Sequence, residues 1–137
     1  MAKKPVKKRG REKILHADEI RVEIDELPFE KSQFTTGEKM WDATTLVEAA
    51  KDEPTFRLPL IAIDLNVKAW SCENMLNFAQ HFKRVEDTDL KYPVILDQFG
   101  YIVDGWHRVI KALVLGKQSI LAKRLRSMPE PDDVVSE

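Results

Sequence analysis

Cysteine occurs once in this chain, at position 72. One thiol excludes an internal disulfide and a four-cysteine zinc site, and it fits a reducing, intracellular setting. Long apolar runs are missing as well: none approaches the ~18–20 residues that span a bilayer. The basic start, MAKKPVKKRGREK, has no apolar segment behind it, so it does not read as a secretory signal peptide. No internal repeat is present. A cytoplasmic protein without a membrane partner is the expectation.

What is there suits one globular domain. The 137 residues suffice for one compact unit and not comfortably for two. Hydrophobic residues make up 43% and charged residues 33%, an ordinary soluble balance. The net charge of −1 conceals a polarity. Lys3, Lys4, Lys7, Lys8, Arg9, Arg11 and Lys13 face only Glu12, a local charge of +6. This basic arm, residues 1–13, cannot bury anything and reads as disordered alone. It is either a nucleic-acid-binding arm that displaces counterions from phosphates or a solubilising tail. Residues 127–137 hold two prolines and four acids and read as an unfolded acidic tail.

Periodicity predicts the elements between. EIRVEIDEL alternates Ile20, Val22 and Ile24 with charges, as a half-buried strand does. PFEKSQFTTG reads as a loop. Met40, Ala43, Val47 and Ala50 are spaced for a helix with Pro54 beyond it. FRLPLIAIDLNV reads as a buried strand interrupted by Pro59. Ser71 is a candidate cap for a helix with Glu73 in its first turn and Met75, Phe78, Ala79, Phe82 and Val85 as its apolar stripe. PVIL and YIV, joined by DQFG, form a hairpin. A helix over 106–115 stops at Gly116, and SILAKRL is a last strand. Strands alternating with helices predict an α/β or mixed α+β layer fold. The domain reading is an N-terminal extension over 14–57 and a core over 58–126.

Chemistry concentrates in DGWHR, residues 104–108, where a strand gives way to a helix. A helix's first turn leaves N–H groups without intrahelical partners, and these attract anions, phosphate above all. Gly105 permits close approach to the backbone. Arg108 offers a planar fork for phosphate, and His107 can donate to it or shuttle a proton. Asp104 can cap the helix, hold Mg²⁺ or accept a proton from an attacking hydroxyl. The bland alternative is ordinary cap-and-turn chemistry with a solvated His and Arg.

The segment YIVDGWHRVIKALVLGKQSILAKRL resembles the core of the ParB/sulfiredoxin-like superfamily: a hairpin, a Gly-x-(His/Arg)-Arg element, a helix with an Ala that ends in Gly, and a short strand. Gly105, His107, Arg108, Ala112 and Gly116 occupy those places, and the likeness extends over roughly residues 58–125. It implies a nucleotide ligand, ATP, ADP or CTP, held at its phosphates by Gly105, His107 and Arg108. Sulfiredoxins place a catalytic Cys directly before the His-Arg pair; Trp106 stands there, which excludes that chemistry. Free serine kinases carry Asp-Gly-His-His-Arg, different only at the third position. By that likeness Asp104 and His107 are catalytic candidates, with Mg²⁺ on Asp104. Those kinases also need a further glutamate, for which Asp64 and Glu73 are the candidates. The centromere-binding branch adds a helix-turn-helix module that does not follow here and favours Gly-Glu-Arg-Arg. A nuclease would need a metal cluster, for which only Asp97, Asp104 and His107 offer themselves.

Other residues read as structural. Trp106 packs with Val109, Ile110 and Leu113; Trp41 and Trp70 are core or interface anchors; His81 is solvated on a polar helix face; His16 carries no pattern. Cys72 is a small apolar residue near a helix start. Lys123–Arg126 is a charged edge or an extension of a phosphate surface. The expected function is a nucleotide- or phosphate-binding module, regulatory or associated with DNA or other nucleic acid, of bacterial, phage or plasmid origin. A small phosphotransferase is the alternative, and a nuclease stands behind it.

Overall fold

A computed structural model describes residues 21–27 and 32–134. The sequence's basic arm, His16 and Ile20 lie outside the described residues. Among those described, the order is β1 (Gln33–Thr36), β2 (Lys39–Asp42), α1 (Ala43–Ala49), β3 (Phe56–Pro59), a 3₁₀ turn (Leu60–Ala62), α2 (Met75–Asp87), β4 (Val94–Leu96), β5 (Ile102–Asp104), α3 (Trp106–Val114), β6 (Ser119–Arg124) and β7 (Asp133–Val134). The fold is mixed α+β, as the alternation of elements predicted. No helix of the described residues is long and apolar enough to cross a membrane.

Two sheets organise the chain. One runs β3-β6-β4-β5, the other β1-β2-β7. In the larger sheet β6 lies antiparallel to β3 and parallel to β4, while β4 and β5 form the expected hairpin. The DQFG turn closes as its chemistry dictates: the Asp97 carboxylate accepts from the N–H groups of Phe99 and Tyr101, each at 2.9 Å.

The unbroken apolar run of β4 has a physical reason: both faces of this strand are covered. Val94 and Leu96 join Leu60, Ile102, Val109, Ala112, Ile120 and Ala122 in one core. Ile95, between them, points the other way and joins Val103, Leu125, Trp41, Leu46 and Ala50 in a second core. The helix α3 supplies Val109 and Ala112 to the first core, and α1 supplies Leu46 to the second.

Several sequence expectations are corrected. Residues 21–27 form no strand and Val22 is exposed, because their alternation finds no ladder to join. Within the stretch read as a loop, β1 forms instead, pairing Phe34 with Trp41 across the ladder. Met40 belongs to β2 rather than to the helix; Ala43 and Ala50 are buried as expected, but Leu46 is buried where Val47 was expected. The run after Pro59 turns into a 3₁₀ segment rather than continuing as a buried strand. The cap of α2 is Asn74, whose side chain accepts from the Asn77 N–H at 2.8 Å; Ser71 and Glu73 lie before the helix. The acidic tail is folded through residue 134. Pro129 accepts a 2.8 Å hydrogen bond from the Trp41 indole, and Asp132 accepts from the Asp42 N–H and the Thr45 hydroxyl at 2.8 and 2.9 Å. The acids that argued for disorder thus include one that ties the tail to the start of α1.

The predicted stripe of α2 is split: Ala79 and Val85 are half-buried, but its large residues are not. Met75, Phe78 and Phe82 face outward, 73%, 53% and 58% exposed, and the helix buries no residue fully. Its inward side carries Asn77, His81 and Arg84 at the same helical spacing. The reason lies in what that side meets.

Candidate functional site

The inward side of α2 and the start of α3 enclose a cavity of about 550 Å³. His81, through its bond to His107, and Arg84 come from α2; Gly105, Trp106, His107 and Arg108 come from the first turn of α3; Trp70 comes from the loop before α2. Glu26 and Leu27 close another side, and the Leu27 carbonyl accepts a hydrogen bond from the Arg84 guanidinium.

Gly105 makes this junction possible. Its φ of 107° is a conformation that L side chains rarely adopt, and a Cβ there would stand 2.6 Å from a methyl of Val94. The strand therefore delivers Asp104 and the helix begins at once. No side chain caps α3, and its first intrahelical bond runs from the Val109 N–H to the Gly105 carbonyl. The N–H groups of Trp106, His107 and Arg108 are thus left to a ligand or to water.

Of the residues chosen from the sequence, Asp104, Gly105, His107 and Arg108 are brought to this one cavity. Asp97 is spent in the hairpin turn, Asp64 accepts from the Asn66 N–H in a local turn, and neither it nor Glu73 lines the cavity. The carboxylates that do line it beside Asp104 are Glu26 and Asp87. Among the described residues no group of three or more His, Cys, Asp or Glu side chains is placed to hold a metal. The basic stretch at the end of β6 and just beyond it is occupied within the fold: Lys123 donates to the Lys51 carbonyl, Arg124 to that of Gln98, and Arg126 pairs with Glu53 at 3.4 Å.

The Arg108 fork has a partner inside the protein. It meets the Asp104 carboxylate at 3.1 Å, with both side chains largely buried, and donates to the Pro93 carbonyl at 3.3 Å. Burial raises the Asp104 pKa above its ordinary value, against the pull of Arg108 and Arg84. Removing Arg108 would leave that carboxylate buried without a counter-charge. Arg108→Ala is therefore expected to cost about 2 kcal/mol of stability by urea unfolding. Adding Asp104→Asn to it should recover part of the loss, and a double variant no more stable than Arg108→Ala would show that the charge pair is not what matters.

His81, read as solvated from the sequence, belongs to the site. Its Nδ1 lies 2.9 Å from Nε2 of His107, so one of these nitrogens carries the shared proton. The two imidazoles are nearly coplanar, 7° apart, and the Trp70 indole stacks on both at 4.4 Å. Burial, and then the charges of His81, Arg84 and Arg108, hold the His107 pKa down to about 3. Burial and Arg84 lower that of His81 too. At neutral pH the pair is two neutral rings sharing one hydrogen bond. The signal that could have found His81 was its spacing to Arg84, on a helix whose other face is apolar. Nothing in one sequence says which of two such faces turns inward.

No family model, curated protein or solved structure matches the chain.

Proposed function

We propose that this chain binds a nucleotide or another phosphate-bearing ligand in the cavity between α2 and α3. One observation carries the reading: a guanidinium without an ion-pair partner, that of Arg84, lines the cavity together with the uncapped first turn of α3. Arg84 has no ion-pair partner among the described residues, and its charge acts on His81, His107 and Asp104 alike. The uncapped turn of α3 adds its N–H groups and the positive end of a helix dipole. The cavity has room for a ligand larger than one phosphate. The resemblance to ParB/sulfiredoxin-like domains, carried by Gly105, His107 and Arg108, points to the same turn.

In this reading Arg84 and the turn at Gly105 and His107 grip the anion, while Arg108 braces Asp104 beneath them. Asp104, engaged by Arg108, makes a poor resident Mg²⁺ site on its own; Mg²⁺ would arrive on the phosphates of the nucleotide. The phosphotransferase alternative draws on Glu26, which shares the cavity with Asp104 and supplies the second carboxylate that neither Asp64 nor Glu73 provides. Residues 1–13 would add nucleic acid as a charge-driven partner.

The test is a thermal-shift and calorimetric titration with ATP, ADP and CTP, with and without Mg²⁺. At least one should raise the melting temperature, and Arg84→Ala should weaken its binding by about 1.5–3 kcal/mol, the scale of a charge-assisted hydrogen bond. A parent that ignores all three, or an Arg84→Ala variant that binds as well, would sink the reading. Phosphorus NMR of the same mixtures with serine separates binding from transfer.

A further inference from the structure

Beside the cavity lies a stretch of chain that belongs to neither sheet. Residues 21–27, RVEIDEL, add no strand, and all but Leu27 are exposed. The end of this stretch enters the site. Glu26 and Leu27 line the cavity, Leu27 is half-buried, and its carbonyl accepts a hydrogen bond from the Arg84 guanidinium. The charges around the cavity show what that contact does. Asp104 is matched by Arg108 at 3.1 Å, and Asp87 by Lys83 at 4.0 Å. Among the described residues Glu26 and Arg84 are left without ion-pair partners, and they are opposite in sign. One belongs to the stretch and the other to the anion grip.

The stretch as a whole is acidic: Arg21 stands against Glu23, Asp25 and Glu26, a net charge of −2. A flap built to close over a phosphate would bring donors or cations to it. This one brings a carbonyl oxygen and a carboxylate, so it imitates the ligand rather than completing its shell. Its hold on Arg84 is also the weaker one. A guanidinium gains more from a charged phosphate, which it can take with two parallel N–H bonds, than from a single neutral carbonyl. A phosphate would therefore win Arg84 from Leu27, and its charge would repel the three acids. We propose, on the phosphate-binding reading of the cavity, that residues 21–27 are an autoinhibitory strap, seated in the anion site by the Leu27 carbonyl and displaced when a phosphate-bearing ligand takes Arg84. The seated strap lowers the apparent affinity by the fraction of molecules it keeps closed.

The test uses the full chain, with ATP and inorganic tripolyphosphate as probes. Leu27→Ser weakens the seat without changing any charge. It should bind the probes about fivefold more tightly than the parent in calorimetry, the order of one hydrogen bond's net contribution. Glu26→Gln, at an exposed position that the fold does not depend on, should also bind more tightly, most clearly at low salt. In the parent, the heteronuclear NOE of the Glu26 and Leu27 amides should fall as the probe saturates the site, because the strap leaves it. Binding that is unchanged in both variants would overturn the strap and leave the phosphate site standing. So would weaker binding by Leu27→Ser, or NOE values that hold or rise, since either describes a lid that closes over its ligand. Probes that bind neither the parent nor the variants would overturn the phosphate site and the strap together.

Discussion

Gly105→Ala is expected to destabilise the fold by about 3 kcal/mol, the largest effect of any single methyl in this chain. Two costs coincide. The backbone at φ 107° is strained for any L side chain, worth roughly 1–3 kcal/mol. The new Cβ would also meet Val94 at 2.6 and 2.9 Å, and Val94 is fully buried in β4 with no room to withdraw. Gly116 separates the two costs. Its φ is 71°, but a Cβ there meets nothing within 4 Å. Gly116→Ala should therefore cost only about 1 kcal/mol. Urea unfolding of both variants decides the matter: equal losses would mean that close packing beneath Gly105 contributes nothing. Because Gly105 also begins the turn that presents His107, the variant should lose ligand binding along with stability.

Acid should unfold the protein over an unusually wide range, from about pH 6.5 down to about 3. The sign follows from His107. Its folded pKa is held at about 3, below the ordinary 6.5, so the unfolded chain takes up a proton first as pH falls. Its contribution to stability is complete above pH 6.5, erodes through the interval and levels off near 3. A shift of that size corresponds to several kcal/mol at most, and a ring still partly open to water should realise about 2–3 kcal/mol. His81, lowered as well, adds in the same direction. Asp104 opposes them: its raised pKa favours the folded state at low pH, and that contribution is lost as pH rises from about 3.8 through its folded value. Urea unfolding at several pH values should show the slope, and His107→Gln should flatten it. An unchanged slope in that variant would place the acid sensitivity elsewhere. An anion bound beside the pair would raise the His107 pKa, so a phosphate ligand should also narrow the acid-sensitive range.

How much of this was legible before the structure depended on the distance over which each residue acts. The hairpin of β4 and β5, the abrupt start of α3, its end at Gly116 and the strand β6 are written in neighbouring residues. Turn chemistry at DQFG, the Asp-Gly step and a helix-spaced apolar row each act within a few positions. The cluster of Asp104, Gly105, His107 and Arg108 was legible for the same reason, and so was the mixed α+β class.

What the sequence could not show is what lies opposite. Strand β7 exists because Trp41 and Thr45 hold Pro129 and Asp132, about ninety positions away, and no composition of the tail reveals that. The alternation at 21–27 looked like a strand, yet a strand requires a neighbour to receive its hydrogen bonds. The helix α2 carries two faces of equal period, one apolar and one holding His81 and Arg84; only the cavity at the start of α3 decides which turns inward. The pairing of His81 with His107 under Trp70 joins three segments far apart in the chain. The sequence by itself determined the turn that carries the site, because that turn is made of adjacent residues. The tertiary structure alone decided what surrounds it, because burial, neutral imidazoles and the engagement of Arg108 by Asp104 arise only when distant segments exclude water together.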